Sequence, residues 1–187
     1  MFQIKMLNKI TTIKENTVFQ NKYIEVQNND VKFSDDKDGK YIKIIENSSK
    51  NPGIVVCCID EDNRYLLINI FRYAIDKNSL EFVRGYSDND ENFVDSAKRE
   101  LKEETGIKYN DMLESNLLGS FYVNSANILS EIPVIYIKVK NNSFTTPQID
   151  EHIDQIIWKD SLEIKNMIKN AEIKDSFTLN AYLLLNI

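Results

Sequence analysis

One stretch of the sequence decides the fold: Gly85-Tyr86-Ser87-Asp88-Asn89-Asp90-Glu91-Asn92-Phe93-Val94-Asp95-Ser96-Ala97-Lys98-Arg99-Glu100-Leu101-Lys102-Glu103-Glu104-Thr105-Gly106-Ile107. Its middle predicts a helix over roughly Phe93–Glu104, because Asn92 is a suitable N-cap and Gly106 suits the left-handed position that ends a helix. At about 100° per residue, four apolar side chains share one arc of this helix. They are Phe93, Val94, Ala97 and Leu101, and this arc is expected to face the core.

Three carboxylates occupy the arc beside the apolar one, because Glu100, Glu103 and Glu104 follow the spacing i, i+3 and i+4. A solvated charged face is the ordinary explanation of such a run. Two energetic costs argue against that explanation. Like charges at this spacing destabilise a helix by roughly a few tenths of a kcal/mol per pair, and anions in its last turn destabilise it by roughly 0.3–1 kcal/mol each. A divalent cation would remove both costs. Oxygen ligands favour Mg²⁺ or Mn²⁺ over zinc.

The composition is that of a globular protein with one domain, or one domain and a small appendage. The chain has 187 residues, of which 42% are hydrophobic and 28% charged, with a formal net charge of −6. No basic field therefore attracts nucleic acid or an anionic membrane. No apolar run approaches the ~20 residues of a membrane span, so a soluble protein without nucleic-acid or membrane partners is expected.

Two adjacent cysteines, Cys57 and Cys58, lie in an apolar run. Neighbours in a strand point to opposite faces, so these two thiols cannot easily pair with each other. We interpret them as buried structural thiols, which is typical of a protein in the reducing cytoplasm.

Short strands are predicted at 11–20, 23–33 and 41–46, and they indicate a small antiparallel sheet. The turn-rich segment 47–53 then marks a boundary, which gives a β-rich segment 1–48 and a main domain 49–187. In the main domain, strands are predicted at 54–59, 64–71, 117–123, 133–139 and 154–158, and two closing helices at 161–169 and 176–185. Interleaved strands and helices predict a mixed α/β class.

The quoted stretch resembles the Nudix box at every specified position, namely Gly85, Glu91, Arg99-Glu100, Leu101, Glu103-Glu104, Gly106 and Ile107. The resemblance implies an α/β/α sandwich with a mixed sheet, and an enzyme in which water attacks a phosphorus of a pyrophosphate. It also implies that Glu100, Glu103 and Glu104 hold the metal, Glu100 and Glu104 most constantly, often joined by the main-chain carbonyl of Arg84. An ion pair between Glu91 and Arg99 is implied as a structural feature.

The flanks of the box resemble the ADP-ribose pyrophosphatase branch of that family. The matching segments are Asn69-Ile70-Phe71-Arg72-Tyr73 and Leu80-Glu81-Phe82-Val83-Arg84-Gly85. Segment 11–46 looks like the sheet with which that branch dimerises, so a homodimer is expected. Glu151 is the implied general base, in an acidic loop at 149–153, with Glu131 as the alternative.

The candidate substrate-binding residues are Arg72 and Arg84, which could grip phosphate in the bidentate manner that arginine favours, and Glu81, which would orient the pocket or contact metal. For both arginines, surface ion pairing is an equal alternative. Three tyrosines, Tyr73, Tyr86 and Tyr122, could stack a nucleobase, although a place in the core or an interface is the commoner role. His152 is interpreted as an ordinary loop residue.

The sequence departs from the branch at Ile70, at Val83 and in the loop 125–131, which lacks the usual Pro and Gly. These positions shape the substrate pocket, so ADP-ribose and nucleotide sugars such as GDP-mannose or UDP-glucose stay open. Two other functions are alternatives. One is a nucleoside triphosphate pyrophosphatase, whose members are usually shorter, and the other is a non-catalytic nucleotide sensor, which usually loses box carboxylates. The related isomerase would need a cysteine elsewhere than Cys57 and Cys58.

Overall fold

The structure is a computed structural model that describes residues 9–46, 53–88, 91–141, 143, 145–146 and 152–187. Two compact units make up the chain. The first comprises Met1–Lys50 and Asn124–Ser130, and the second comprises Asn51–Val123 and Glu131–Ile187.

The first unit is a sheet built around β3. Its strands are β1 (Thr11–Lys14), β2 (Thr17–Gln20), β3 (Ile24–Lys32), β4 (Asp38–Glu46) and β10 (Ile128–Leu129). Strand β3 pairs antiparallel with β1, β2 and β4. The single strand predicted at 11–20 is therefore two strands. The two strands are separated at Asn16. The main-chain N–H of Asn16 donates to Oδ1 of Asn29 (2.9 Å), and its side chain donates to Asp30 (2.9 Å).

Strand β10 comes from the loop between two strands of the second unit, and the sequence analysis did not predict it. It runs parallel to β4, with Ile128 opposite Ile44. The segment is held by side chains as well: the Tyr41 hydroxyl donates to the carbonyl of Ala126 (2.6 Å). The N-terminal sheet is thus antiparallel through β1–β4, as predicted, and becomes mixed by this addition.

The second unit contains a seven-stranded mixed sheet. Its strands are β5 (Gly53–Asp60), β6 (Tyr65–Arg72), β7 (Lys77–Glu81), β8 (Val83–Tyr86), β9 (Met112–Tyr122), β11 (Glu131–Val139) and β12 (Ile153–Lys159). The order is β12-β6-β5-β11-β9, with β7 also paired to β6 and β8 to β5. Among the strand pairs that the described residues form in this sheet, only β5–β11 is parallel. The mixed sheet confirms the prediction.

Helices cover both faces of this sheet. Helix α1 (Phe93–Thr105) packs with Cys58 on one face through Ala97 and Leu101. Helices α2 (Ser161–Lys169) and α3 (Ser176–Leu185) pack with Cys57 on the other, through residues that include Ile164 and Ala181. The three layers confirm the predicted α/β/α sandwich.

The two cysteines lie on opposite faces of β5, as predicted, and both are free and buried. Burial raises the pKa of each thiol well above its ordinary value. Both are therefore structural thiols that pack in the two halves of the core.

Strands β7 and β8 were missing from the sequence-based prediction because they are short and carry polar residues (Lys-Asn-Ser-Leu-Glu and Val-Arg-Gly-Tyr). Strand β8 packs against α1, and its Gly85 lies against Glu100. None of the helices in the described parts of the chain has both the length and the apolar character that crossing a bilayer requires.

Candidate active site

Helix α1 begins and ends through the two caps that its sequence predicts. Oδ1 of Asn92 accepts from the main-chain N–H groups of Val94 and Asp95, each at 3.0 Å. Gly106 has φ of 76°, and its N–H donates to the carbonyl of Lys102 at 2.8 Å. This helix is therefore fixed in register at both ends, and so are the carboxylates on it.

Gly85 lies against Glu100 so closely that no side chain fits between them. A Cβ at position 85 would lie 1.9 Å from Cδ of Glu100. The main-chain N–H of Tyr86 donates to Oε1 of Glu100 at 3.2 Å. The glycine thus lets the backbone at the end of β8 meet a carboxylate of α1 directly.

Arg99 binds the loop and the carboxylates at once. Its Nη1 donates to Glu100 (2.8 Å) and to Glu103 (2.9 Å), and its Nε donates to Glu91 (3.2 Å). Its Nη2 donates to the carbonyl of Tyr86 at 2.7 Å. The predicted ion pair between Glu91 and Arg99 is confirmed, and the same guanidinium also neutralises part of the negative charge on α1.

The three box carboxylates differ in environment. Glu104 is 6% exposed, whereas the side chain of Glu103 is 54% exposed and is turned toward Arg99. Burial raises the pKa of Glu100; the hydrogen bond and charge of Arg99 oppose this shift, and the charge of Glu103 adds to it. Within the described ranges, no three acidic, histidine or cysteine side chains are grouped so that they could hold one ion. Nη1 of Arg99 binds both Glu100 and Glu103, so in this arrangement the guanidinium lies between these two carboxylates.

The donor chemistry nevertheless fits a divalent cation. Glu100 and Glu104 lie one turn apart on α1, and both are largely buried. Two partly desolvated carboxylates with only oxygen donors suit Mg²⁺ or Mn²⁺. Gly85 adds the close approach of the backbone beside Glu100.

A second cluster joins all three of the predicted substrate-binding residues. Glu81 is 2% exposed and accepts from Arg72 through Nη2 (2.6 Å) and Nε (3.1 Å). Nη2 of Arg84 lies 2.7 Å from the same carboxylate. Burial disfavours ionisation of Glu81, but the hydrogen bond from Arg72 and the charges of both arginines outweigh it and lower its pKa.

Arg84 also contacts the N-terminal end of α3. Its Nη1 lies 3.6 Å from Oδ1 of Asp175, and its guanidinium carbon lies 4.3 Å from the centre of the Phe177 ring. Both terminal nitrogens are thus in ion pairs, and these pairs lie in the interior rather than at the surface.

The two clusters are electrostatically connected through Arg72. Burial lowers the pKa of Arg72, but the hydrogen bond and charge of Glu81, followed by the charges of Asp175 and Glu104, raise it overall. Arg84 of this cluster directly precedes Gly85, which lies against Glu100, so the two clusters are adjacent along β8.

The remaining predicted residues lie as follows. Glu151 falls outside the described residues. Glu131 accepts from the hydroxyls of Ser120 (2.5 Å) and Tyr122 (3.2 Å) on the neighbouring strand. Tyr73, Tyr86 and Tyr122 are exposed, so none of the three occupies the core. His152 is exposed in a turn, with φ of 56°, and its carbonyl accepts from the N–H of Phe71 at 3.3 Å.

Sequence reasoning missed Asp175, Phe177 and Thr178. Asp175 has the signature of an N-cap, and it does accept from the N–H of Thr178 at 2.8 Å. Its contact with Arg84 had no local signal, because the two residues are distant in the sequence.

The comparisons with known proteins agree with this geometry. The family model described as NUDIX domain matches residues 49–180. The fold is similar to that of a solved structure described as "Crystal structure of ADP compounds hydrolase", with a TM-score of 0.78 and 17% sequence identity, over 97% of this chain and 95% of that one. No curated protein matches the chain. The chain therefore belongs to the NUDIX domain family and is a Nudix hydrolase.

Proposed function

We propose that the protein hydrolyses the pyrophosphate bond of a nucleoside diphosphate derivative, ADP-ribose or a nucleotide sugar, in a reaction that requires Mg²⁺ or Mn²⁺. The products are a nucleoside monophosphate and a sugar phosphate. The observation that carries the proposal is the close approach of Gly85, which directly follows Arg84 of the arginine cluster, to Glu100 on the carboxylate helix. Such a site places one fixed positive charge beside the carboxylates that would hold the metal, and a pyrophosphate needs both.

In this mechanism Glu100 and Glu104 would hold the metal, and Glu103 and the main-chain carbonyl of Arg84 would serve as further ligands. When bound, the metal neutralises phosphate charge and makes the attacking water more acidic. Glu151 accepts the proton of that water, and Glu131 is the second candidate for this role.

Arg72 contacts a phosphate oxygen in the proposed complex. Its side chain is 34% exposed, and Nε and Nη2 are occupied by Glu81. The remaining edge of the guanidinium, at Nη1, has no acceptor among the described residues and can donate to substrate. Glu81 and Arg84 lie behind Arg72 and hold it in place.

We also propose that the first unit forms a homodimer interface. Strands β1 and β2 are exposed along their whole length, and they carry the apolar side chains Ile13, Val18 and Phe19 on the surface. Exposed apolar side chains in such number are typical of an interface. We place the protein in the cytoplasm, where two free thiols stay reduced. Sedimentation at micromolar concentration tests the dimer, and a monomer would refute it.

The test of the reaction is a substrate panel with phosphatase-coupled phosphate release. It contains ADP-ribose, GDP-mannose, UDP-glucose, diadenosine polyphosphates and nucleoside triphosphates, each with and without Mg²⁺. We expect turnover of a diphosphate sugar that depends on metal and is abolished by Glu104→Gln. Turnover of triphosphates alone would favour the triphosphate pyrophosphatase. Binding without any turnover would favour the nucleotide sensor.

A further inference from the structure

We propose that the first turn of α3 positions Arg72 for substrate, through a chain of alternating charges that runs from Asp175 to Arg84, Glu81 and Arg72. The inference rests on the proposed function, because there Arg72 contacts the phosphate. It assigns Asp175 as a positioning residue that contacts no substrate itself.

Each link in this chain joins opposite charges. Oδ1 of Asp175 lies 3.6 Å from Nη1 of Arg84. Nη2 of Arg84 lies 2.7 Å from Oε2 of Glu81, and Nη2 of Arg72 lies 2.6 Å from that same oxygen. The two arginines thus share one carboxylate oxygen, so the hold on one depends on the other.

The two middle residues of this row of charges, Glu81 and Arg84, are buried. The side chain of Glu81 is 2% exposed, and that of Arg84 is 19% exposed and stacked on Phe177. Charges at such positions interact more strongly than at the surface, and a partner that is removed leaves the remaining charge without compensation. The four residues therefore act as one unit.

Helix α3 fixes Asp175, the first of the four charged residues. Oδ2 of Asp175 accepts from the main-chain N–H and the hydroxyl of Thr178, each at 2.8 Å. The Thr178 hydroxyl in turn accepts from the main-chain N–H of Phe82 at 3.0 Å. One oxygen of Asp175 thus caps the helix while the other faces Arg84, and Thr178 ties the same turn to the segment that joins β7 and β8.

Without the charge of Asp175, Arg84 would be neutralised by Glu81 alone. Glu81 would then hold Arg72 less firmly, and Arg72 would leave its position beside Glu81. We expect weaker substrate binding with an unchanged chemical step, because Asp175 contacts the guanidinium of Arg84, whereas the carboxylates of α1 and the main-chain carbonyl of Arg84 would hold the metal.

The substitution Asp175→Asn isolates the charge. Asparagine caps helices as well as aspartate does, so the cap of α3 is kept and only the ion pair with Arg84 is lost. Asp160→Asn is the matched control, because Asp160 caps α2 in the same way, accepting from the N–H of Glu163 at 2.8 Å, and has no contact with this chain among the described residues.

We expect Asp175→Asn to raise KM by about 3- to 10-fold, the usual size of coupling within one ion-pair network, and to change kcat by less than about 2-fold. Asp160→Asn should leave both constants unchanged. In an Arg84→Met background, Asp175→Asn should add nothing, since the chain is already broken. Equal kinetics of the two asparagine variants would overturn the proposal, and so would an undiminished effect in the Arg84→Met background.

A second measurement does not depend on turnover. Phenylglyoxal modifies accessible arginines, and its rate at Arg72 can be followed by mass spectrometry of the peptide. Asp175→Asn should speed the modification of Arg72, whereas Asp160→Asn should not. If wild type hydrolyses no panel substrate, the proposed function fails, but this reactivity still decides whether Asp175 positions Arg72. An unchanged rate in Asp175→Asn would refute the positioning role even in an active enzyme.

Discussion

Replacing Gly85 with alanine should lower the activity of the enzyme much more than the stability of its fold. The new Cβ would lie 1.9 Å from Cδ and 2.4 Å from Oε1 of Glu100, so the carboxylate has to move. Because these atoms are the far end of a flexible side chain, Glu100 can rotate away without moving the backbone. In doing so it loses its hydrogen bonds with the N–H of Tyr86 (3.2 Å) and with Arg99 (2.8 Å).

The loss of stability and the loss of activity in Gly85→Ala should differ in size. Overpacking of one methyl group costs about 1–3 kcal/mol of unfolding free energy, and a rotation of Glu100 toward solvent keeps the loss near the lower end. Activity should suffer more. Loss of a partner that orients a metal ligand costs about 10- to 100-fold, and here the ligand itself is displaced. We expect kcat/KM to fall by at least that factor.

Urea unfolding and metal titrations of activity measure the two effects. Gly53→Ala is the control: Gly53 pairs with Tyr86 across β5 and β8, and its added Cβ would come no closer than 3.3 Å, to Ile132. The stability cost of Gly85→Ala should disappear in a Glu100→Ala background. Wild-type kcat/KM in Gly85→Ala, or the same stability cost in both backgrounds, would refute the reasoning.

Three other predictions concern the loop, the thiols and the first unit. Arg99→Met should lower the free energy of unfolding, measured in urea, by about 2–3 kcal/mol, since charge-assisted hydrogen bonds to three carboxylates are lost. Millimolar Mg²⁺ should restore part of this lost stability, and a loss that Mg²⁺ does not change would argue against a cation near Glu100. The thiols of Cys57 and Cys58 should not react with a thiol reagent in the native protein at pH 8, because burial raises the pKa of both, and should react together in urea; fast labelling of either would contradict their burial. Tyr41→Phe should cost about 1 kcal/mol, because the hydroxyl bond to the carbonyl of Ala126 is lost, and an unchanged urea midpoint would show that this bond does not stabilise the unit.

Local signals predicted the helices well. The caps of α1 at Asn92 and Gly106 gave its bounds to within one residue, and α2 and α3 begin and end where they were predicted. Strands β7 and β8 were missed because the hydrogen bonds that define them are made with β5 and β6, not by any pattern in their own residues. Pairing partners of short polar strands are tertiary information, which a single sequence does not contain.

The same distinction applies to the site. The pair of Glu91 and Arg99 follows from the spacing along one loop and helix, and the structure contains it. The buried position of Glu81 between two arginines, and the link of Arg84 to Asp175, depend on which elements pack together. Sequence reasoning named three of those four residues, but it could not state that they bind one another.

The parallel strand β10 has a consequence for the biosynthesis of the protein. Ser130, at the end of its segment, bonds to Glu46 across 84 residues of sequence. At about 5–20 residues per second, a ribosome needs roughly 4–17 s to add that length. During this interval β4 has already been made but has no neighbour along the edge that β10 later occupies. The nascent chain therefore presents an open strand edge, which chaperones or a premature partner strand could occupy before synthesis reaches residue 130.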